Sequence, residues 1–463
     1  MKSKLFFLGA AGMLFFQTGF GQTRPNIIII LADDAGNADF GFQGCKDLPT
    51  PNIDAIAKDG VIFRDAHVSS TVSAPSRAGL MTGRYQQRFG FECNDGNGYT
   101  GLNTSETFIA GELKKAGYAT AAFGKWHLGE KETQHPNQRG FDYFYGFIAG
   151  SRSYFYRPDK DDKPGNKNQL LENDKPVRFD GYLTDVLAEK AVSFIHSHQK
   201  KPFFIYWAPN AVHTPLEATS EDLQRFSGHP RQKLAAMTYA LDRGVGKIVS
   251  KLKASGLYNN TLIFFLSDNG GAHNNQSSNL PLKGFKGNEY EGGHRVPFVV
   301  SWPAKIQGNR HFDGLSSSLD IFPSCLEAAG KLAHTGKPLD GVSLIPYLTG
   351  ASEGSPHEQL FWRKDQDASA RVGDFKLIRV NQLGFRMYNL KNNLQETEDL
   401  SQKQPEQFEK MKKNMQQWES HMMKPLWTEG AVWDTITLMI HDDLFHNRDV
   451  RVKEPQQLKK FNK

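Results

Sequence analysis

The sequence is poor in cysteine, because its 463 residues include only Cys45, Cys93 and Cys325. An odd number at wide spacing is not a disulfide framework, so one bridge and three buried free thiols are both compatible with it. A strong charge excess is also lacking, since 56 Lys and Arg against 50 Asp and Glu leave a formal charge of +6. This excess would mildly favour an anionic partner, although an ordinary solvated surface is the better explanation of the charge taken alone. With so small a net charge, we expect no nucleic-acid partner.

Long hydrophobic runs are missing as well, and none reaches the roughly 20 residues that cross a bilayer. Residues 5–16 are apolar, follow Lys2 and Lys4, and precede Gly19 and Gly21. This pattern predicts a cleavable secretion signal over residues 1–21. No cysteine near its end could carry a lipid. We therefore expect a periplasmic or secreted protein without a membrane span; the alternative is a buried N-terminal core helix.

Two apolar runs, residues 26–32 and 261–266, read as strands buried on both faces of a parallel or mixed sheet. Ligands in open α/β sheets collect at the carboxyl ends of strands, and adjacent carboxylates there repel each other unless a cation neutralises them. A shell of oxygen ligands favours Ca²⁺ or Mg²⁺ over zinc. The alternative is that the residues after each run form an ordinary turn that binds no ion. The oxygen-bearing residues that follow the runs are Asp33, Asp34, Asp268 and Asn269.

Residues 73–84 read SAPSRAGLMTGR. Pro75 fixes φ and lacks an N–H, which predicts an extended or turn segment followed by a helix from about Ser76. A helix N-terminus suits an anion, and Arg77, one turn in, could hold its oxygen atoms. The alternative is a common Ser/Pro helix start. The stretch resembles the signature of the type I sulfatases, in which the first residue of C/S-x-P-S-R is oxidised to formylglycine; Ser73 holds that place.

Three further segments resemble the same family. GKWHLG contains Lys125 and His127, which a two-residue spacing would place on one face of an extended segment. APNAVHTP places His213 just past the carboxyl end of a predicted strand. In KGNEYEGGHRVP, Lys286 aligns with the lysine that grips sulfate in the family, and Lys283 is the neighbour that could be confused with it.

The resemblance implies a mechanism. A gem-diol on the oxidised residue attacks sulfur while basic side chains offset charge on the sulfuryl oxygens. One imidazole assists the leaving alcohol, and the other helps to release the bound sulfate. The implied catalytic residues are Ser73, Arg77, Lys125, His127, His213 and Lys286. The implied ligands of Ca²⁺, with Mg²⁺ the less favoured ion, are Asp33, Asp34, Ser73, Asp268 and Asn269.

Serine at position 73 has two explanations. It points to the anaerobic maturation route of some bacteria, in which a formylglycine-generating maturase is a partner of the chain. It could equally be an engineered Cys→Ser change that traps substrate. Because an ordinary hydroxyl is a weak nucleophile, unmodified Ser73 predicts little activity.

The resemblance also implies the fold: an α/β sandwich of the alkaline-phosphatase-like kind, with a large mixed sheet between helices and a small C-terminal α+β domain with an antiparallel sheet. Gly, Ser and Pro near residues 350–356 mark the predicted boundary. It separates a catalytic domain, residues 22–355, from a C-terminal subdomain and tail, residues 356–463. The tail after Trp427 has no family pattern and is predicted to be solvated.

Residues 148–179 form a polar, aromatic-rich insertion. Long irregular segments of this kind are usually functional, and the family resemblance makes Arg152, Tyr154 and Tyr156 candidates for sugar contacts, unless the segment is a mobile surface loop. We therefore expect hydrolysis of a sulfate ester on a carbohydrate. The alternatives are a phosphonate or phosphate ester hydrolase on the same scaffold, and an inactive sulfated-glycan-binding protein with Ser73 unconverted.

Overall fold

The computed structural model describes residues 24–331 and 336–461, so the predicted secretion signal lies outside the described residues. The strands form a ten-stranded sheet, a two-stranded sheet and a four-stranded sheet. The strands are β1 Asn26–Ala32, β2 Val61–Phe63, β3 Ala66–His67, β4 Ala119–Lys125, β5 Tyr143–Phe147, β6 Leu171–Glu172, β7 Lys175–Pro176, β8 Phe203–Ala208, β9 Thr261–Ser267, β10 Phe298–Ser301, β11 Arg310–Phe312, β12 Ser316–Ser317, β13 Gln359–Lys364, β14 Asp367–Val372, β15 Phe375–Val380 and β16 Gly384–Asn389.

Helices cover both faces of the large sheet. Side chains alternate along β1, so Ile27 and Ile29 enter one core with α2, α3 and α8, while Ile28 and Ile30 enter a second core with α1, α4 and α6. The helices are α1 Pro51–Lys58, α2 Ser73–Thr82, α3 Ile109–Lys115, α4 Leu183–Ser197, α5 Ser220–Arg225, α6 Gln232–Ala254, α7 Glu291–His294, α8 Ile321–Ala328, α9 Ile345–Thr349, α10 Pro405–Glu419, α11 Ala431–Phe445 and α12 Pro455–Phe461.

The large sheet has the strand order β11-β2-β10-β9-β1-β8-β4-β5-β6-β7. Its centre is parallel: β1 pairs with β8 and β9, and β4 pairs with β5 and β8. The register places Ala32 opposite Ser267 at the ends of β1 and β9. Asp33 and Asp268 therefore leave the sheet side by side. Continuous burial of these strands on both faces explains why they read as unbroken apolar runs.

The small antiparallel sheet runs β13-β14-β15-β16, and α10 packs on it through Met411 and Met415. The large mixed sheet, its helices and this small sheet confirm the predicted fold class. The prediction of a solvated tail is wrong. Ile436 and Ile440 of α11, one helical step of four apart, pack against Tyr290 and the small sheet, because an apolar stripe gains free energy when it is buried.

Two local predictions also fail. Helix α2 begins at Ser73, three residues earlier than expected. Strand β4 ends at Lys125, and His127 has a left-handed φ of 61°, so these two side chains do not share an extended segment.

All three cysteines are free thiols. No described helix is both long enough and apolar enough to cross a membrane.

Candidate active site

The predicted site residues meet at one edge of the large sheet. Four neighbouring parallel strands, β9, β1, β8 and β4, all end there, because parallel strands present their carboxyl ends together. Asp33 and Asp34 follow β1, Lys125 ends β4, and His213 follows β8. The N-terminus of α2 approaches the same edge, since the Ser73 hydroxyl donates to Asn269 Oδ1 at 3.0 Å.

Ion pairs link the acidic and basic members of the site. The Lys125 ammonium lies 3.0 and 2.8 Å from the two carboxylate oxygens of Asp33. The Lys286 ammonium lies 2.8 Å from Asp34 Oδ2. Asn269 Nδ2 donates to the other Asp34 oxygen at 2.8 Å. Both lysines therefore project from separate parts of the chain toward the same acidic strand ends.

Arg77 connects α2 to the acidic cluster. Its Nε and Nη2 donate to Asp268 Oδ2 at 2.9 and 2.8 Å, and Nη1 donates to the hydroxyl of Tyr206 at 3.2 Å. Nη2 also lies 3.7 Å from Asp33. The guanidinium is fully buried, so its planar set of donors orients Asp268 while its charge also faces Asp33.

The donor set fits a hard divalent cation. Asp33, Asp34, Asp268, Asn269 and Ser73 supply side-chain oxygens, and all are at most 1% exposed. Burial and repulsion from the Asp268 carboxylate raise the pKa of Asp33 to about 7, even with Arg77 and Lys125 beside it. The basic groups thus leave part of the repulsion between the carboxylates uncompensated, and Ca²⁺ or Mg²⁺ prefers oxygen ligands of this kind.

His127 is buried, with 7% of its surface exposed, and neither ring nitrogen has a hydrogen-bond partner among the described residues. Burial and the charges of Lys125 and Arg77 lower its pKa to about 3, so the imidazole is neutral. Its Nε2 lies 4.0 Å from the Asp95 carboxylate, too far for a hydrogen bond. A neutral, unpartnered imidazole can accept a proton from a bound group.

His213 is held at its other nitrogen. Nδ1 lies 2.6 Å from the Thr214 carbonyl, an acceptor, so Nδ1 carries the hydrogen. Nε2 faces the cluster, 3.5 Å from Asp34 Oδ2. The Tyr154 hydroxyl donates to the His213 carbonyl at 2.9 Å and also to the Asn210 carbonyl, which anchors this segment. Nε2 is therefore the nitrogen available to a reacting oxygen.

The three predicted sugar-contact residues have different environments. Arg152 is 2% exposed; its Nη2 donates to Asp162 at 2.7 Å, so it holds the insertion together. Tyr154 is fully buried and has no surface for a sugar. Tyr156 is partly exposed, beside the Phe179 ring and the Arg178 guanidinium. Of the three, Tyr156 is the one with surface that a sugar could contact.

Comparison with known proteins identifies the family. Residues 25–331, about two thirds of the chain, match the model of the Sulfatase family. The chain belongs to the sulfatase family. Members of this family are sulfuric ester hydrolases, so the chain is an enzyme of that class, and its sheet and helices form the alkaline-phosphatase-like α/β sandwich.

Relatives of this sulfatase cover most of its length. It is 32% identical over 399 residues to the uncharacterized sulfatase YdeN of Escherichia coli strain K12, covering 73% of this chain and 68% of that one. It is 32% identical over 394 residues to N-acetylgalactosamine-6-sulfatase of Canis lupus familiaris, covering 80% and 73%. The crystal structure of Ps i-CgsB in complex with k-i-k-neocarrahexaose has 38% identity and a TM-score of 0.83, and covers 91% of this chain and 99% of that one.

Several residues of this sulfatase site had no readable signal in the sequence. Tyr206, the partner of Arg77, lies inside the apolar run of β8. Asp95 lies in the sequence NDGNG, which reads as a simple turn. Gly150 packs flat against His127, because a Cβ there would stand 2.6 Å from the His127 Nε2 atom. Each matters only through a contact with a residue far away in the sequence.

Proposed function

We propose that this sulfatase removes sulfate from a sulfated carbohydrate, with formylglycine at position 73 as the nucleophile and Ca²⁺ held by the acidic cluster. One observation carries the proposal: five buried side chains that carry oxygen and three basic side chains, drawn from distant segments, meet at the N-terminus of α2. The proposed ligands of the ion are Asp33, Asp34, Asp268, Asn269 and the oxygen of residue 73.

When bound, the cation would, together with the oxidised residue 73, supply an activated oxygen nucleophile. The chain's own residues do the rest. Lys125 and Lys286 each bring a positive charge into the cluster, and a buried ammonium can bind the anionic oxygens of a sulfate ester. Arg77 holds Asp268 in place through two hydrogen bonds to one carboxylate oxygen and contributes a third positive charge.

Two imidazoles move the protons. With its Nδ1–H held by the Thr214 carbonyl, His213 presents Nε2 to the oxygen of the leaving alcohol, and it can donate a proton to that oxygen once Nε2 has itself been protonated. His127, neutral and without a hydrogen-bond partner, accepts a proton from the nucleophilic residue when sulfate is released. These roles divide acid and base work between two imidazoles from different segments of the chain.

A carbohydrate substrate is supported by two relatives. N-acetylgalactosamine-6-sulfatase acts on a sugar by its name, and Ps i-CgsB binds an oligosaccharide in its crystal structure. The polar insertion at residues 148–179, with partly exposed Tyr156, adds surface suited to a sugar. A secretion signal at residues 1–21 would place the enzyme in the periplasm or outside the cell, after a maturase has oxidised Ser73.

Mass spectrometry of the tryptic peptide 65–77 from native host cells tests the nucleophile. Oxidation of the Ser73 side chain to an aldehyde makes the peptide lighter by two hydrogen atoms, and an unaltered serine mass would contradict the proposal.

Sulfate release from sulfated mono- and oligosaccharides by the matured protein tests the reaction, with Ser73→Ala as the inactive control. Faster phosphate than sulfate release would favour a phosphonate or phosphate ester hydrolase. Sulfated-glycan binding without turnover by matured protein would favour a binding protein.

A further inference from the structure

A second group of basic and aromatic side chains lies beside Lys286. The ring of Phe285, the preceding residue, has His273 next to it, with ring centroids 5.1 Å apart, and the Lys453 ammonium 5.8 Å from its centroid. We name His273, Phe285 and Lys453 the rim cluster. It lies at the border of the active site, because His273 is close enough to Lys286 and Asp34 for both charges to act on its imidazole, and Lys286 is bound to Asp34.

The polar groups of the rim cluster are not used by the protein. The buried His273 Nε2 has no hydrogen-bond partner in the described part of the chain, and no carboxylate there lies within 4.0 Å of the Lys453 ammonium. The neighbouring Lys283 differs, since it donates to the Glu396 carbonyl at 3.1 Å and to Asn447 Oδ1 at 2.7 Å. A buried imidazole nitrogen without a partner costs free energy, which a bound ligand would remove, and the partly exposed Lys453 ammonium is free to meet the same ligand.

Electrostatics make the rim cluster attractive to anions. Burial and the positive charges of Lys453 and Lys286 lower the pKa of His273 to about 4, so its imidazole is neutral. A neutral imidazole can present one N–H, and the adjacent ammonium presents up to three. Together they match the oxygen atoms of a sulfate or carboxylate group, while the Phe285 ring offers an apolar surface to a sugar.

Lys453 is positioned by the C-terminal tail, which lies outside the residues that match the family model. Its neighbour Val452 is 1% exposed and packs in the same core as Tyr290 and α11. Asn447, also from the tail, accepts the hydrogen bond from Lys283. The tail is thus attached to the loop that carries Phe285 and Lys286, so the Lys453 side chain starts from a fixed backbone.

We propose that the rim cluster is a second anion subsite, which binds a further sulfate or carboxylate group of the same glycan while the first sulfate occupies the catalytic centre. The inference rests on the proposed glycan function and deepens it: the substrate class becomes a glycan with at least two anionic groups. The catalytic centre recognises the sulfate to be removed, and the rim cluster recognises the neighbouring one.

Binding to the full-length Ser73→Ala protein, which lacks the proposed nucleophile, tests the subsite by calorimetry. The probes are a multiply sulfated carrageenan hexasaccharide and galactose 4-sulfate. Lys453→Met should weaken hexasaccharide binding about tenfold, the size expected for one charge-assisted contact, and should leave galactose 4-sulfate binding unchanged. Lys459→Met on α12 removes the same charge from an exposed position and is the matched control.

His273 supplies a second variant. His273→Gln keeps an N–H donor and should retain more of the hexasaccharide affinity than His273→Phe. Equal effects of Lys453→Met and Lys459→Met, or hexasaccharide binding no tighter than that of galactose 4-sulfate, would overturn the subsite. The proposed function is judged separately, by sulfate release from the matured wild-type protein.

Discussion

A single buried lysine joins the small C-terminal sheet to the segment that follows Lys286, and its removal should destabilise the protein strongly. Lys376 lies on β15 and is fully buried. Its ammonium is 3.0 Å from Glu291 Oε1, 3.1 Å from Glu396 Oε1 and 3.0 Å from His294 Nε2. Two carboxylates with no exposed side-chain surface thus contact one ammonium on the small sheet, and Arg295 contacts the other Glu291 oxygen at 3.3 Å.

The hydrogen-bond directions in this network follow from the chemistry of its members. An ammonium only donates, so His294 Nε2 accepts and His294 Nδ1 carries the hydrogen. That hydrogen is donated to His67 Nδ1 at 3.0 Å, and His67 Nε2 then donates to Asp65 Oδ1 at 2.9 Å. One continuous chain of donors therefore runs from the small sheet to β3, with both imidazoles neutral.

The perturbation is Lys376→Met, which keeps the length of the side chain and removes the charge. It leaves Glu396 buried without its cation and leaves Glu291 with the Arg295 guanidinium, 3.3 Å from its other oxygen, and breaking a buried pair in this way costs about 3–5 kcal/mol. Urea unfolding of the protein followed by tryptophan fluorescence measures the loss. Lys391→Met, at an exposed position after β16, is the control and should change the free energy of unfolding by less than about 0.5 kcal/mol.

A second substitution checks the cause. Burial raises the pKa of Glu396 to about 7, so this carboxyl tolerates neutralisation. Glu396→Gln in the Lys376→Met background removes the unpaired charge and should recover part of the lost stability. A Lys376→Met protein as stable as wild type would refute the reasoning, and a double variant less stable than Lys376→Met would show that charge is not the reason.

Four further predictions concern the site and the fold. Treatment with EDTA should abolish sulfate release and lower the melting temperature, and Ca²⁺ should restore both; full activity after chelation would contradict the metal site. Gly150→Ala should displace the His127 ring, whose Nε2 would be 2.6 Å from the new Cβ, and lower kcat about 100-fold while circular dichroism stays unchanged. Tyr154→Phe removes the hydroxyl that anchors the His213 segment and should lower kcat about tenfold with little change in KM; a change in KM alone would argue against this positioning role. Although burial alone would lower the pKa of His357, the Asp320 carboxylate 2.7 Å away raises it. This ion pair therefore stabilises the fold below pH 6.5, and its contribution is lost as the pH rises through the raised pKa. His357→Gln should remove this pH dependence from the melting temperature.

The strands of the large sheet could be predicted from the sequence because they are buried on both faces. Continuous apolar runs such as those of β1 and β9 leave few alternatives, and the polar residues directly after them stand out. The helix at Ser73 was predictable as well, although its first residue was not. The division of the chain near residue 355 remains a prediction.

Other features depend on contacts that no local pattern encodes. Arg152 looked like a surface residue of a polar insertion but is buried against Asp162. The sequence favoured an extended segment through His127. In the fold, however, β4 has already ended and His127 has a left-handed φ. The predicted solvated tail became a packed helix because its apolar stripe met Tyr290 and the small sheet.

By itself, the sequence determined the buried strands, the acidic residues at their ends and the segment around Ser73, because each is encoded by neighbouring residues. Only the tertiary structure decided which cation meets which carboxylate, and that Lys453 reaches the border of the active site. The physical reason is that a hydrogen bond or ion pair depends on distances of a few ångströms between atoms, and for residues far apart in the chain those distances are set by the packing of the whole fold.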